Sequence, residues 1–256
     1  MSEPWNLTPD QWSEVLSAEA VLERSVENLL NRRVPPWALT LLQLTEDSKE
    51  VLDLGSGRGE HSAWLALHGR EPTLLDWSRE NLKFSGNLFD KLSIAGKFVH
   101  ADMTHLLPFE TDSFDAVFSC GVFEYFTDQE IRSILNEAGR VSRKKVIIMT
   151  PNALAIAYRI GKWYLERTHR WYWGGERPMR TLKPHFDAVS RGRFCEFTVG
   201  ARHALNFLTM RGGKTIQRLL TQLGIKDHPY PVFLKQGYLL VSVGEKAQNN
   251  RSWIQE

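Results

Sequence analysis

At 256 residues, 42% of them apolar and 24% charged, the chain has the balance of one folded domain and not of a disordered segment. Cys120 and Cys195 are too few for a disulfide framework and lack metal-ligand spacing, and runs such as "VIIM" and "YLLV" fall far short of the roughly 18 residues of a membrane span. The opening "MSEPWNL" has no basic segment followed by an apolar one, so no signal peptide is expected and a reducing, cytoplasmic location is.

Near the start, "TPDQ" (8–11) offers Thr8 as N-cap, Pro9 at the first helical position and Gln11 to close a capping box. Trp12, Val15, Leu22, Val26 and Leu29 follow at helical spacing, which predicts an amphipathic helix over 9–32. "PP" at 35–36 ends it, and a short helix is expected over 37–44. Strands and helices then alternate: strand "EVLDL" (50–54), helix 60–68, strand "PTLLD" (72–76), helix 78–92, and strands "KFVHAD" (97–102) and "FDAVFSC" (114–120). A second capping box, "TDQE" (127–130), opens a helix to about 140, and "KVIIMT" (145–150) is a fifth strand. Beyond Pro151 the reading is a helix near 180–190, strand "FCEFTVG" (194–200), helix 201–224 and a last strand "YLLVSVG" (238–244). Such alternation predicts an α/β protein with a parallel, doubly wound sheet.

The net charge of +2 is unevenly placed. Residues 158–193 hold nine Arg or Lys against three Asp or Glu, a balance of +6 that leaves −4 for the rest. The same stretch carries Tyr158, Trp163, Tyr164, Trp171, Tyr172, Trp173 and Phe186.

In "DLGSGRGE" (53–60), glycines at 55, 57 and 59 stand between the first strand and its helix. Glycines there let backbone come very close to a ligand. Their spacing is G-x-G-x-G, whereas a dinucleotide fingerprint is G-x-G-x-x-G, and Glu60 puts a carboxylate where a pyrophosphate would dock. No Gly-Lys-Ser/Thr follows, which excludes a P-loop. The expected ligand is a nucleoside without phosphates. Asp76, 21 residues past Gly55, ends the second strand, where a carboxylate can accept both ribose hydroxyls. Asp102, in "HADMTHLLPF", can accept from an adenine amino group while the Met103 amide faces the ring. Taken singly, Asp76 and Asp102 could be helix N-caps, the commoner use of a strand-end Asp. Their joint placement at successive strand ends, matching amino-acid tail, ribose and base, makes them a site.

These stretches resemble the motifs of the class I S-adenosylmethionine-dependent methyltransferases. "VLDLGSGRGEHS" is similar to the first motif, "LLDWS" to the second and "HADMTHLLPF" to the third. "FDAVFSCGVFEYF" resembles the "FDxVxxxxVLEHI" of the branch that includes ubiquinone/menaquinone-biosynthesis and many small-molecule enzymes. The likeness runs over roughly residues 50–152, with Tyr125 where the family has His and "RVSRKKVI" in place of a Leu-Lys-Pro-Gly-Gly turn. It implies a Rossmann-like, seven-stranded sheet, mostly parallel with an antiparallel last strand. It implies S-adenosyl-L-methionine as cofactor and no metal. The roles it implies place Gly55, Gly57 and Gly59 against the methionine portion, ordered by Asp53. Asp76 would bind the ribose, Trp77 pack on adenine, and Asp102 with Met103 address the base edge, while carbonyls near Ser119 and Cys120 meet the methionine ammonium.

On the acceptor side, Glu124 and Tyr125 follow the fourth strand and are expected to face the acceptor. His185, His203 and Tyr125 are candidates for the base that an oxygen acceptor needs. Residues 1–45 read as an N-terminal helical arm, 46–256 as the methyltransferase domain, and 153–193 within it as a lid inserted after the fifth strand. In that lid Trp171 and Trp173 would be apolar walls and Arg177 would pair with an acidic acceptor. A partner or membrane interface and plain packing are the other readings of the block. Cys120 lacks the preceding Pro of cysteine-dependent pyrimidine methylation and reads as a buried small residue. The Asn/Asp-Pro-Pro-aromatic motif of nucleic-acid amino methylation is missing, and a patch of +6 is modest for nucleic acid. The expectation is therefore methyl transfer to a small molecule, anionic or aromatic, with oxygen favoured as the acceptor atom. Two alternatives stay open: a non-catalytic sensor or partner subunit that binds S-adenosylmethionine, and an RNA methyltransferase.

Overall fold

The computed structural model describes residues 19–171, 174–189, 192–207 and 236–246. One sheet is built from β1 (Glu50–Leu54), β2 (Glu71–Asp76), β3 (Lys97–His100), β4 (Phe114–Cys120), β5 (Ser142–Pro151), β6 (Phe194–Val199) and β7 (Leu239–Glu245). Its order is β3-β2-β1-β4-β5-β7-β6. Strands β1 to β5 run parallel, as apolar runs buried on both faces require. The last strand, β7, lies antiparallel between β5 and β6, as expected. The chain winds outward from β1 to β3 and then returns to β4 on the other side of β1. A crevice opens at the carboxyl ends of two strands at such a reversal.

Helices α1 (Glu19–Leu30), α2 (Pro36–Leu44), α3 (Glu60–Ala66) and α4 (Arg79–Leu92) precede α5 (Asp128–Val141), α6 (Ile156–Arg167), α7 (Lys183–Val189) and α8 (Ala201–Ala204). The expected box opens α5, with Thr127 and Glu130 satisfying each other's backbone amides. Leu22 and Leu29 of α1 pack with Trp64, Leu74, Phe84 and Leu88 on one face of the sheet. On the other face, Leu52, Leu54, Val117 and Ile148 meet Ile131, Ile134 and Leu135 of α5. Each such side chain contributes about 1.5–3 kcal/mol when fully buried, so these layers hold the short helices in place.

Three boundaries differ from expectation for local reasons. Strand β3 stops at His100 because Asp102 turns the chain: the Thr104 amide and hydroxyl both donate to its Oδ1, at 2.8 Å each. Strand β5 starts early, at Ser142, which pairs with Phe114 across a register shift. The helix expected over 201–224 is the four-residue α8 followed by a 3-10 turn, Leu205–Phe207. Residues 208–224 of it, and 8–18 of the first helix with its capping box, lie outside the described residues. The excursion after β5 is closed at its base, where the Ala153 amide donates to Met179 O and the Met179 amide to Pro151 O, both at 2.8 Å. Helix α6 fills it. No helix among the described residues is long and apolar enough to cross a membrane.

Candidate active site

The turn after β1 is tied to β2 by amides of Gly55 and Ser56, which donate to Leu75 O at 2.8 and 3.1 Å. At the end of β2, Asp76 is 4% exposed and reaches the same turn. Its Oδ2 accepts from the Gly57 amide at 2.8 Å and its Oδ1 from the Ser78 amide at 2.9 Å. Burial pushes the Asp76 carboxyl up, and these amides oppose the shift. Oδ1 accepts a second time, from Asn81 Nδ2 at 3.4 Å, so Oδ2 is the oxygen that keeps a lone pair for another donor. Gly57 has φ +52°, and a Cβ built on it meets nothing within 4 Å, so this side of the turn is open. Beneath the turn, Asp53 accepts from the Ser62 hydroxyl at 2.7 Å, and burial pushes its carboxyl up to about 7.

The other expected cofactor residues surround this turn. Trp77 is 44% exposed just past Asp76. Met103 is buried, its methyl beneath Gly55. Asp102 is half-buried and holds its own turn, with His105 Nδ1 at 3.3 Å from Oδ2. Ser119 bridges the strands by donating to Leu54 O at 2.6 Å. Cys120 is half-buried, and burial pushes its thiol well up, helped by the charges of Glu124 and Asp53.

Past β4, a 3-10 turn (Phe123–Tyr125) carries Glu124, which is 2% exposed. Its Oε2 has no hydrogen-bond partner among the described residues. Glu176, 6% exposed, arrives from the excursion and accepts from the Tyr158 hydroxyl. Lys162 Nζ lies 3.9 Å from Glu176, 2.6 Å from Glu166 and 4.4 Å above the Trp171 ring. Tyr158 packs against Tyr238 at 5.2 Å between ring centroids and Trp171 at 6.3 Å. Burial and then the charge of Glu176 push Glu124 well up, and burial raises Glu176 against the Tyr158 hydrogen bond and Lys162. Burial and the two carboxylates raise Tyr125, Tyr158 and Tyr238. Sequence reasoning missed Glu176, Lys162 and Tyr238 here and counted Tyr158 only as part of an aromatic block. The one signal for Glu176 was a lone acid inside "WYWGGERPMR".

Arg177 braces the excursion onto the start of α5. Its guanidinium lies 2.8 Å from Asp128 and donates to Phe126 O at 2.9 Å, while its amide donates to Glu124 O at 3.0 Å. Those contacts build a clasp instead of the expected anion clamp. His185 sits 3.8 Å from Asp128, and burial lowers its pKa. His203 packs edge-on to Trp37 at 4.7 Å and near Tyr238 at 5.4 Å. Trp173 lies outside the described residues. Among the described residues, no group of three or more His, Cys, Asp or Glu is placed to hold a metal.

Residues 51–145 match the family model of a methyltransferase domain. Phosphoethanolamine N-methyltransferase 1 of Zea mays is 29% identical over 127 residues, 49% of this chain. The chain spans only 25% of that relative's length. A solved S-adenosylmethionine-dependent methyltransferase from Thermotoga maritima shares the fold at TM-score 0.55 and 14% identity, over 82% of this chain and 89% of that one. So does magnesium protoporphyrin IX methyltransferase from Synechocystis, solved with bound S-adenosylhomocysteine, at TM-score 0.56, 12% identity and 93% of each chain. The methyltransferase-domain match thus spans the glycine turn, Asp76 and the end of β4, and the fold is the one these solved S-adenosylmethionine-dependent methyltransferases share.

Proposed function

We propose that the protein transfers the methyl group of S-adenosylmethionine to a small molecule seated at the carboxyl end of β4. The observation that carries this reading is that the glycine turn and the Glu124 cluster both border the end of β4: a Cβ built on Gly55 would stand 2.9 Å from Val122, and one on Gly121 3.7 Å from Glu124 Oε1. The turn suits the cofactor: the open face of Gly57 leaves room for it, and buried Asp76 keeps a lone pair on Oδ2 for a hydroxyl. Trp77, Asp102 and the Met103 amide would hold the base, and carbonyls near Ser119 and Cys120 the amino-acid end. When bound, the cofactor supplies an electrophilic methyl on a sulfonium whose leaving group is a neutral thioether.

The chain then has to orient an acceptor and keep water away, and orientation alone is worth effective molarities of roughly 10⁵ M or more. The excursion, closed at its base by Asn152 and Met179, is placed to do both. We read 153–193 as that lid, 1–45 as an arm and 46–256 as the catalytic domain. A small acceptor is supported by the names of two relatives, which act on phosphoethanolamine and magnesium protoporphyrin IX. A cytoplasmic location belongs to the same reading, because free Cys120 and Cys195 suit a reducing compartment.

Incubation with methyl-labelled cofactor and a metabolite panel is expected to label a small molecule. Cofactor binding without transfer to any metabolite would favour the sensor reading, and label on RNA with steeply salt-dependent affinity would favour the RNA reading. Asp76→Ala is expected to weaken S-adenosylmethionine or its demethylated product by about 1–3 kcal/mol in calorimetry. Asp76→Asn, which keeps an acceptor oxygen, should fall between. Unchanged affinity in both variants would remove Asp76 from the site.

A further inference from the structure

The cluster past β4 holds two buried carboxyl groups that share a single, divided cation. Glu124 and Glu176 are 2% and 6% exposed. Lys162 lies 3.9 Å from Glu176 but is shared with Glu166 at 2.6 Å, and Arg177 directs its guanidinium to Asp128 and Phe126 O. Buried carboxylates are costly unless paired. Glu124 Oε2 also accepts no hydrogen bond among the described residues.

Around these carboxylates stand the rings of Tyr125, Tyr158, Tyr238 and Trp171. Tyr158 is fully buried, while Tyr125 and Tyr238 are half-exposed. Gly121, exposed, borders the cluster: a Cβ built on it would stand 3.7 Å from Glu124 Oε1. Carboxylates among electron-rich ring faces recognise an alkylammonium group. An anion would instead disfavour ionisation of either carboxyl.

Resting on the methyltransferase reading above, we propose that this cluster is the acceptor subsite and that it takes a cationic nitrogen, an amine acceptor arriving as its ammonium, between Glu124 and Glu176. Glu124 then takes the proton: an N–H bond breaks, its electron pair stays on nitrogen, and an O–H bond forms on the carboxylate. The neutral amine left behind is the nucleophile, and the proton leaves to water past Gly121 with the product. Burial, which raises both carboxyls, lets Glu124 hold that proton. Glu166, Cys120, Lys162 and the three tyrosines face the cluster as well, with Asp53 beyond Cys120.

The test titrates tetramethylammonium, a fixed cation with no proton to lose, into the full chain with saturating S-adenosylhomocysteine. Its neutral counterpart of similar shape is tert-butanol. The cation is expected to bind at least about tenfold tighter. Its affinity should rise with pH, with protons released to the buffer, because cation binding favours ionised carboxylates. Glu124→Gln and Glu176→Gln are each expected to reduce that release, the double variant to abolish it, and each single change to cost about tenfold in cation affinity. Glu176→Gln can still accept from Tyr158, so it tests the charge without removing that contact, and unchanged melting confirms the fold. Equal binding of the two compounds, or cation binding without proton release, overturns the proposal whatever the activity. A second arm offers an amine, an alcohol and a carboxylate on one carbon skeleton with labelled cofactor, and label is expected on the amine alone. Label on the alcohol or carboxylate instead overturns the amine subsite but keeps the methyltransferase reading. Label on nothing, with no cofactor binding, overturns the methyltransferase reading and with it the acceptor role of the cluster.

Discussion

Gly59→Val is expected to cost about 2–5 kcal/mol of stability, whereas Gly57→Ala should cost only about 1–2 kcal/mol and yet lose cofactor affinity at least tenfold. The two glycines share a backbone conformation, with φ +71° and +52°. A side chain there costs about 1–2 kcal/mol in either case. Their surroundings differ. A Cβ on Gly59 would stand 2.7 Å from Ser85 Oγ and 2.8 Å from Leu74 Cδ2, so α3 would have to lift off α4 and β2. Overpacking of that kind adds about 1–3 kcal/mol. A Cβ on Gly57 meets no protein atom within 4 Å and would intrude on whatever ligand occupies the open face. Thermal melts and calorimetry on both variants separate the two effects. If Gly59→Val melts like the wild type, or Gly57→Ala binds the cofactor normally, the turn does not divide its labour this way.

That division shows what could be read from the residues alone. The sheet was legible because buried parallel strands need continuous apolar runs, and "EVLDL" and "FDAVFSC" match β1 and β4 at both ends. Strand β3 was read two residues too long because Asp102 looks like a strand end in sequence, and only its bonds to Thr104 reveal a turn. The link between the glycine turn and Asp76 was legible, since a fixed spacing across one strand–helix–strand unit brings them together. The acceptor side was not. Glu124, Tyr158, Glu176 and Tyr238 come from four separate stretches, and no local spacing reports that β5, β7 and the excursion converge on the end of β4. Counting charge over 158–193 gave +6 and suggested an anionic acceptor. In the fold Arg177 turns its charge toward Asp128, while the lone acid of "GGERPM" turns inward to Tyr158. Net charge of a segment says little about the charge it presents to a site.

Asp53→Asn is expected to stabilise the protein at about pH 8 by up to about 4 kcal/mol and to change it little near pH 4, from the roughly three-unit rise of its carboxyl. Asp53 is 3% exposed, and burial pushes its carboxyl from 3.8 to about 7, against the hydrogen bond from Ser62 and with the charge of Asp76. A carboxyl whose folded pKa lies above its unfolded one holds an extra proton in the native state between those two values. Stability therefore falls as pH rises through that window and levels off above about 7. Asp76, Glu124 and Glu176 are raised as well and push in the same direction. Burial lowers the pKa of His61 and His185, whose contribution is instead lost as pH falls below the ordinary histidine value. The wild-type profile mixes these trends, so the difference between wild type and Asp53→Asn isolates one residue. Asparagine keeps an oxygen for the Ser62 hydroxyl and removes only the charge. Denaturant unfolding at several pH values reads the difference directly. A gap that stays constant across that range would mean Asp53 is ionised beneath the turn at every pH. The same variant should bind S-adenosylmethionine more weakly, because the carboxylate lost lies under the turn that meets its cationic end. A fold stabler for the loss of Asp53 and a site poorer for it are two readings of one buried charge.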